Sequence, residues 1–287
     1  MSFNFVGKRK FSYILSCIIL IAGIVSLFVQ GLNFGVDFTG GTVFQIQFEQ
    51  DKEIADLREE LGSIGYDGVQ IQELENGNFQ IRTEFMDQTA QDAFEDELTD
   101  AAGSFDVLSA NAVGPSVGRE ILLSGILALI VAVVLMVIYI TVRFQWRFAL
   151  AGNLALFHDI LITVGIFSIF QLEVNSNFVA AILTIFGYSI NDKIVVFDRI
   201  RERLGNVKKD DLAHTVNQSI WSTLRRSIFT SLTTLIPIVC VFFLGGETTK
   251  LFVLALIIGI ISGAYSSIFV ASPLWYDLSM KSKKKRF

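Results

Sequence analysis

Six apolar stretches, each about long enough to cross a bilayer, constrain this chain more than any other feature. They run over roughly 11–30, 120–142, 148–170, 177–198, 227–244 and 251–274. About 20 apolar residues cross the hydrocarbon layer as a helix. A helix can do so because it satisfies its own backbone polar groups where no water is present. The fourth stretch is the least uniform, since it holds Asn191, Asp192 and Lys193. Of the 287 residues 52% are hydrophobic, more than a soluble domain usually carries. The expected fold class is therefore membrane α-helical, a six-helix transmembrane bundle.

The first stretch follows Lys8-Arg9-Lys10. Its apolar run is too long for the core of a signal peptide and no small-residue cleavage pair follows, so a retained signal-anchor helix is expected. An even number of spans puts both termini on one side. That side carries Lys8, Arg9, Lys10, Arg143, Arg147, Arg199, Arg201, Arg203, Lys208, Lys209, Arg225, Arg226 and the tail Lys281, Lys283, Lys284, Lys285 and Arg286. The other side has Lys52, Arg58, Arg82, Arg119 and Lys250. The positive-inside rule then places both termini in the cytoplasm. The basic tail is expected to touch anionic membrane lipid rather than nucleic acid. Cys17 and Cys240 fall inside spans and are expected to be small buried residues, with no disulfide framework and no metal spacing.

Residues 31–118 are polar and acidic and form the one large segment on the far side. Thr42–Glu49 alternates with period two and predicts a strand. Helical spacing follows at Ile54, Leu57, Leu61 and Ile64, then strands over Val69–Leu74 and Phe79–Thr83 around an Asn76-Gly77-Asn78 turn. Asp87 is placed to cap a helix running to Ala102, and a fourth strand begins at Phe105. The order β-α-β-β-α-β predicts an inserted α+β ferredoxin-like extracytoplasmic domain. Four divisions follow: 1–30 (N-terminus and first span), 31–118 (the α+β domain), 119–275 (spans two to six) and 276–287 (basic tail). No nucleophile–base set, metal cluster or phosphate loop is visible, so no enzyme and no cofactor are expected.

Ionisable groups within spans are costly and mark functional candidates that face the bundle interior. His158 and Asp159 lie in the third span at a depth of about 16–18 Å, near the midplane. Asp192 lies in the fourth span beside Asn191 and Ser189, and Arg226 stands at the start of the fifth, where a long side chain can reach inward. Burial disfavours a carboxylate's charge and a neighbouring arginine favours it. A group held between those effects can take a proton from one side and release it to the other. Asp192, Arg226, Asp159, His158 and Asn191 are therefore proton-relay candidates, against the alternatives of a static ion pair and structural hydrogen bonding. In the sixth span Ala255, Gly259, Gly263, Ser267 and Ala271 recur every four residues. They predict a small-residue seam where helices approach closely.

Several of these segments carry a resemblance. They are Asn33-Phe34-Gly35-Val36-Asp37-Phe38-Thr39-Gly40-Gly41-Thr42, Val113-Gly114-Pro115-Ser116-Val117-Gly118, Arg143-Phe144-Gln145-Trp146-Arg147-Phe148-Ala149, His158-Asp159 and Gly187-Tyr188-Ser189-Ile190-Asn191-Asp192. Ile194 to Glu202, Arg226-Ser227-Ile228-Phe229-Thr230-Ser231 and Tyr265-Ser266-Ser267-Ile268-Phe269 extend it. In this order and over nearly the whole chain, the sequence resembles the SecF branch of the SecD/SecF protein-export family in the RND superfamily.

The resemblance implies an RND-type half-assembly that pairs with SecD, cooperates with the SecYEG channel and uses the proton-motive force to complete translocation of a preprotein. It also implies that the residues matching Asp192 and Arg226 conduct protons, with a further aspartate supplied by SecD. One departure is Lys193, where the family pattern leads one to expect threonine; it puts the protonation of Asp192 in question. The alternatives are an RND-type small-molecule or lipid transporter half and a passive scaffold of the export channel.

Overall fold

The computed structural model describes residues 3–50, 52–74, 77–206 and 211–283. Lys208, Lys209, Lys284, Lys285, Arg286 and Asn76 of the predicted turn lie outside them. Among the described residues six helices are long and apolar enough to cross a membrane: Arg9–Val29, Pro115–Arg143, Trp146–Ile169, Ser176–Arg203, Leu212–Leu244 and Thr248–Lys281. The fold is a mostly helical membrane architecture with a small sheet domain, the expected class. Several helices outrun their apolar stretches, because hydropathy marks only the part suited to hydrocarbon while backbone hydrogen bonding continues past it. The chain divides into two compact units, one of Met1–Asn33 with Ala128–Phe287, the other Phe34–Leu127.

The first unit is the helical bundle. Its helices are α1 (Arg9–Val29), the second half of α5 (Pro115–Arg143), α6 (Trp146–Ile169), α7 (Ser176–Arg203), α8 (Leu212–Leu244), α9 (Glu247–Ser266) and α10 (Ser272–Lys283). A π-helical turn at Ser267–Ala271 joins α9 to α10. Helices α6, α7 and α9 supply most of the buried faces, while α5 buries nothing over its apolar middle. With no hydrophobic force between helices in lipid, close packing and polar bonds hold such a bundle. Both devices are present. Gly23 of α1 and Gly165 of α6 meet so closely that a Cβ on either would lie within 2.9 Å of the other's Cα. Beside them the hydroxyls of Ser26 and Ser168 are 2.7 Å apart. Cys17 and Cys240 are exposed on the protein surface, against the expectation of burial, because each sits on a helix face turned away from its neighbours.

One end of the bundle is closed by aromatic packing. Phe148 stacks on Trp275 with centroids 4.5 Å apart and meets Phe197 at 5.1 Å. The N-terminal segment is tied to the same region: Val6 N donates to Asn217 Oδ1 (3.0 Å), Trp221 Nε1 donates to Phe3 O (3.0 Å), and Arg9 pairs with Asp277 at 3.0 Å.

The second unit holds α2 (Val36–Thr39), β2 (Gly41–Phe48), α3 (Ile54–Ser63), β3 (Gln70–Glu73), β4 (Asn78–Thr83), α4 (Gln88–Ala102), β5 (Phe105–Val113) and the start of α5. A short strand, β1 (Asn33–Phe34), precedes α2. The sheet order is β3-β4-β2-β5, and every neighbouring pair is antiparallel. This is the split β-α-β arrangement of a ferredoxin-like unit. Period-two alternation turns Phe44 and Ile46 of β2 and Phe79 and Ile81 of β4 to one face, where Leu57 and Leu61 of α3 and Phe94 and Leu98 of α4 cover them. All eight are essentially inaccessible to solvent. Asp87 caps α4, accepting from Ala90 N at 2.9 Å.

The pair Gly40-Gly41 locks the entry to this domain. Both have positive φ, +76° and +135°, which glycine adopts freely and other residues do not. A Cβ on Gly40 would meet Pro115 Cα at 2.8 Å, and one on Gly41 would meet Thr83 O at 2.8 Å. The first glycine thus admits the start of α5 and the second admits the end of β4.

Candidate functional site

The buried polar centre of the bundle lies where α6, α7 and α9 meet. A helix advances about 100° per residue, so α7 shows different residues to different neighbours. Ser189, Asp192, Lys193 and Val196 are buried, while Asn191 is exposed.

Asp159 of α6 is fully buried and is reached by five side chains. Oδ2 accepts from Lys193 Nζ at 2.7 Å, Ser189 Oγ at 2.5 Å and Ser266 Oγ at 2.8 Å. Oδ1 accepts from Ser262 Oγ at 3.1 Å and lies 2.9 Å from His158 Nδ1, which donates in the Nδ1–H tautomer. Lys193 is equally buried and donates also to Ser189 Oγ at 2.5 Å. An ionised carboxylate only accepts and offers about four lone-pair positions. Every position on Asp159 is therefore used. His158 continues the network toward α1 by lying parallel to the Tyr265 ring, whose hydroxyl donates to Ser12 O at 3.1 Å.

Asp192, one residue before Lys193, has a different setting. It is buried against α9 and accepts from Ser267 Oγ, the first residue of the π-helical turn. Such turns often mark functional positions in helices. Gly263, one turn earlier, faces Ser189, with its Cβ position 3.3 Å from the Ser189 side chain, and Gly259 faces Ile185. Ala255 and Ala271 are fully buried. The small residues of α9 thus let α7 come close enough for a serine hydroxyl to reach Asp192.

Arg226 stands elsewhere. Its side chain is exposed, and with Asn191, Asp198, Arg199 and Glu202 it lines an open cavity of about 450 Å³ between α7 and α8. Among the described residues no salt bridge joins Asp192 to Arg226. Asn191 shares the cavity with Arg226, whereas Asp192 points to α9. Of the relay candidates, the structure brings His158 to Asp159 and Asn191 to the cavity of Arg226. Among the described residues no side-chain hydrogen bond or ion pair joins Asp192 to either group, its partner being Ser267 of the π-helical turn.

Sequence reasoning weighed Lys193 against Asp192 and missed its partner on α6, Asp159. Ser189, Ser262 and Ser266 were missed as site members. Spacing of four residues along one helix, Ser189 to Lys193 and Ser262 to Ser266, was the available signal. Among the described residues no three histidine, cysteine or carboxylate groups gather as a metal would require.

Comparison with known proteins gives a consistent match. The family model described as "Protein export membrane protein SecD/SecF, C-terminal" matches residues 93–281, and the "SecD/SecF GG Motif" matches residues 25–52, which contain Gly40-Gly41. The protein translocase subunit SecF of Sebaldella termitidis is 39% identical over 97% of this chain and 92% of its own length. That of Magnetococcus marinus is 41% identical over 99% of this chain and 94% of its own. The crystal structure of SecDF, a translocon-associated membrane protein from Thermus thermophilus, superposes with a TM-score of 0.90 at 36% identity. That match covers 98% of this chain and 39% of the SecDF chain. A second SecDF structure, in a super-membrane-facing form, gives 0.74 at 34% identity over 99% of this chain and 40% of its own.

Proposed function

The chain belongs to the SecD/SecF family of protein-export membrane proteins, and on that premise we propose that it is a proton-driven accessory subunit of the protein translocase. It spans about two fifths of the solved SecDF chain, so a SecD counterpart supplies the remainder of the working unit. The helix α5 supports this, because its apolar middle is uncovered within the chain and suits a helical partner as well as lipid. SecYEG and the emerging preprotein are the further partners. Both termini lie in the cytoplasm, on the side with more Lys and Arg, and the ferredoxin-like domain faces outward to meet the emerging chain.

The observation that carries the proton reading is the contrast between Asp159 and Asp192, the two buried carboxylates of the bundle among the described residues. Asp159 is saturated by donors, so a change in its protonation breaks a whole network. Asp192 is bonded to one hydroxyl, that of Ser267, and can gain or lose a proton at the cost of one hydrogen bond. Asp192 is therefore the proton carrier. Asn191 and Arg226 line the cavity through which the proton exchanges with the cytoplasm, while Asp159 and His158 hold the helices around it. A turn of α7 that brings Asp192 to the Arg226 cavity couples protonation to helix movement. Relatives named as translocase subunits favour export over small-molecule transport.

The test is Asp192→Asn in the assembled complex with SecD, with preprotein export measured in the presence and absence of a proton gradient. The gradient-dependent part of export is expected to fall at least tenfold while the gradient-independent part persists. Unchanged gradient dependence overturns the relay, and loss of assembly instead of coupling supports the scaffold alternative.

A further inference from the structure

The group at the centre of the α6–α7–α9 junction is an ammonium inside a shell of oxygen atoms. Lys193 Nζ lies 2.7 Å from Asp159 Oδ2, 2.5 Å from Ser189 Oγ and 3.4 Å from Ser189 O. Ser266 and Ser262 hold that carboxylate in place by donating to it at 2.8 and 3.1 Å. All five residues are buried. A lysine ammonium is a compact, strongly hydrated charge, and removing its water is costly unless other groups replace it. Here one carboxylate oxygen, one hydroxyl and one carbonyl replace it.

That is also how a protein receives a small hard cation, with oxygen ligands at about 2.3–2.6 Å for calcium. The two short contacts to Nζ fall close to this range. One carboxylate balances one positive charge, so the shell suits a monovalent ion. Among the described residues no group of three acidic, histidine or cysteine side chains is present to suit a divalent or transition metal.

We propose that Asp159 and Ser189, with Ser262 and Ser266 holding the carboxylate, form a monovalent-cation site whose resident cation is the Lys193 ammonium, so that Lys193 is the residue that closes this site to sodium. The side chain is a cation tethered by its own helix. It neutralises Asp159 at every stage of any cycle and leaves no place there for a mobile ion. The binding statement is independent of the export reading. Its consequence, that sodium is not the coupling ion at this position, rests on that reading.

The experiment uses the full chain in detergent. Thermal unfolding midpoints are compared in sodium chloride and in N-methylglucamine chloride at equal ionic strength. The native chain is expected to give equal midpoints in the two salts. Lys193→Thr and Lys193→Ala both remove the ammonium and leave room. They are expected to lose several degrees in N-methylglucamine and to regain them in a saturable way as sodium is added. Asp159→Asn combined with Lys193→Thr is expected to abolish that gain. Equal midpoints for both Lys193 variants in the two salts overturn the proposal, as does failure to recover either one folded in either salt. A sodium response in the native chain or in the double variant also overturns it. None of these readouts uses export, so their outcome is separate from that of the Asp192→Asn assay.

Discussion

Asp159 and Asp192 are both buried carboxylates in one bundle, on neighbouring helices that face α9, yet their surroundings differ in kind. Asp159 is met by a lysine, three serines and a histidine. Asp192 is met by Ser267. A buried charge is tolerated when its partners are complete, and breaking such a set leaves an uncompensated charge behind. A carboxylate with few partners loses less on changing state. The comparison separates a structural role from a transducing one without reference to depth in the membrane, which places Asp159 near the midplane and would by itself favour it as the carrier.

The largest expected effect tests the structural side. Asp159→Ala leaves Lys193 buried without a counter-charge and should cost about 3–5 kcal/mol of stability. Replacing both partners together, Asp159→Leu with Lys193→Leu, should recover most of that loss, since well-packed apolar pairs often equal a buried ion pair. Thermal unfolding of the purified chain measures both. An Asp159→Ala chain as stable as the native one would break the comparison, because Asp159 would then be no more structural than Asp192.

The two sites were unequally legible in the sequence. The spans, their order and the sheet domain could be read because apolar length and two-residue alternation report directly on solvent and on the sheet face. Asp87 as a cap and the β2–β5 order followed from local chemistry. The partners of Asp159 are a matter of how three helices rotate against one another, and no local pattern reports on that. Lys193 shows the limit most clearly. From sequence it could be weighed only against Asp192, its immediate neighbour, whereas Asp159, which it pairs with, is 34 residues away on another helix. The same rotation separates Asp192 from Arg226 of α8: placing both near one end of the bundle was possible from sequence, whereas turning Asn191 of α7 to the Arg226 cavity and Asp192 away from it required the packing of α9.

A smaller effect is expected at the transducing carboxylate. Ser267→Ala removes the hydroxyl that bonds Asp192, and a single intramolecular hydrogen bond contributes about 1 kcal/mol net. The midpoint should fall by about that equivalent, well short of the loss in Asp159→Ala. A loss as large as that of Asp159→Ala would show that Asp192 too is held by a network whose completeness matters, and would remove the reason for assigning the proton to it.

The smallest effect calibrates both carboxylates against one in water. Glu95 on α4 is partly covered, and burial, followed by the charges of Asp92 and Asp96, raises its pKa above the usual carboxylate value. A carboxyl whose folded pKa is raised costs stability while it is charged, and that cost disappears as pH falls through the folded value. Glu95→Gln should therefore stabilise the sheet domain slightly at pH 7, by a few tenths of a kcal/mol as for surface changes generally, and the gain should shrink toward pH 4. Tryptophans Trp146, Trp221 and Trp275 all lie in the bundle, so the domain is best followed by amide exchange of residues 88–102, native against variant at each pH. A gain that grows on acidification would reverse the sign. It would mean that Glu95 is stabilised as an anion by a partner, as Asp159 is, and that a carboxylate's exposure does not predict which of the two roles it plays.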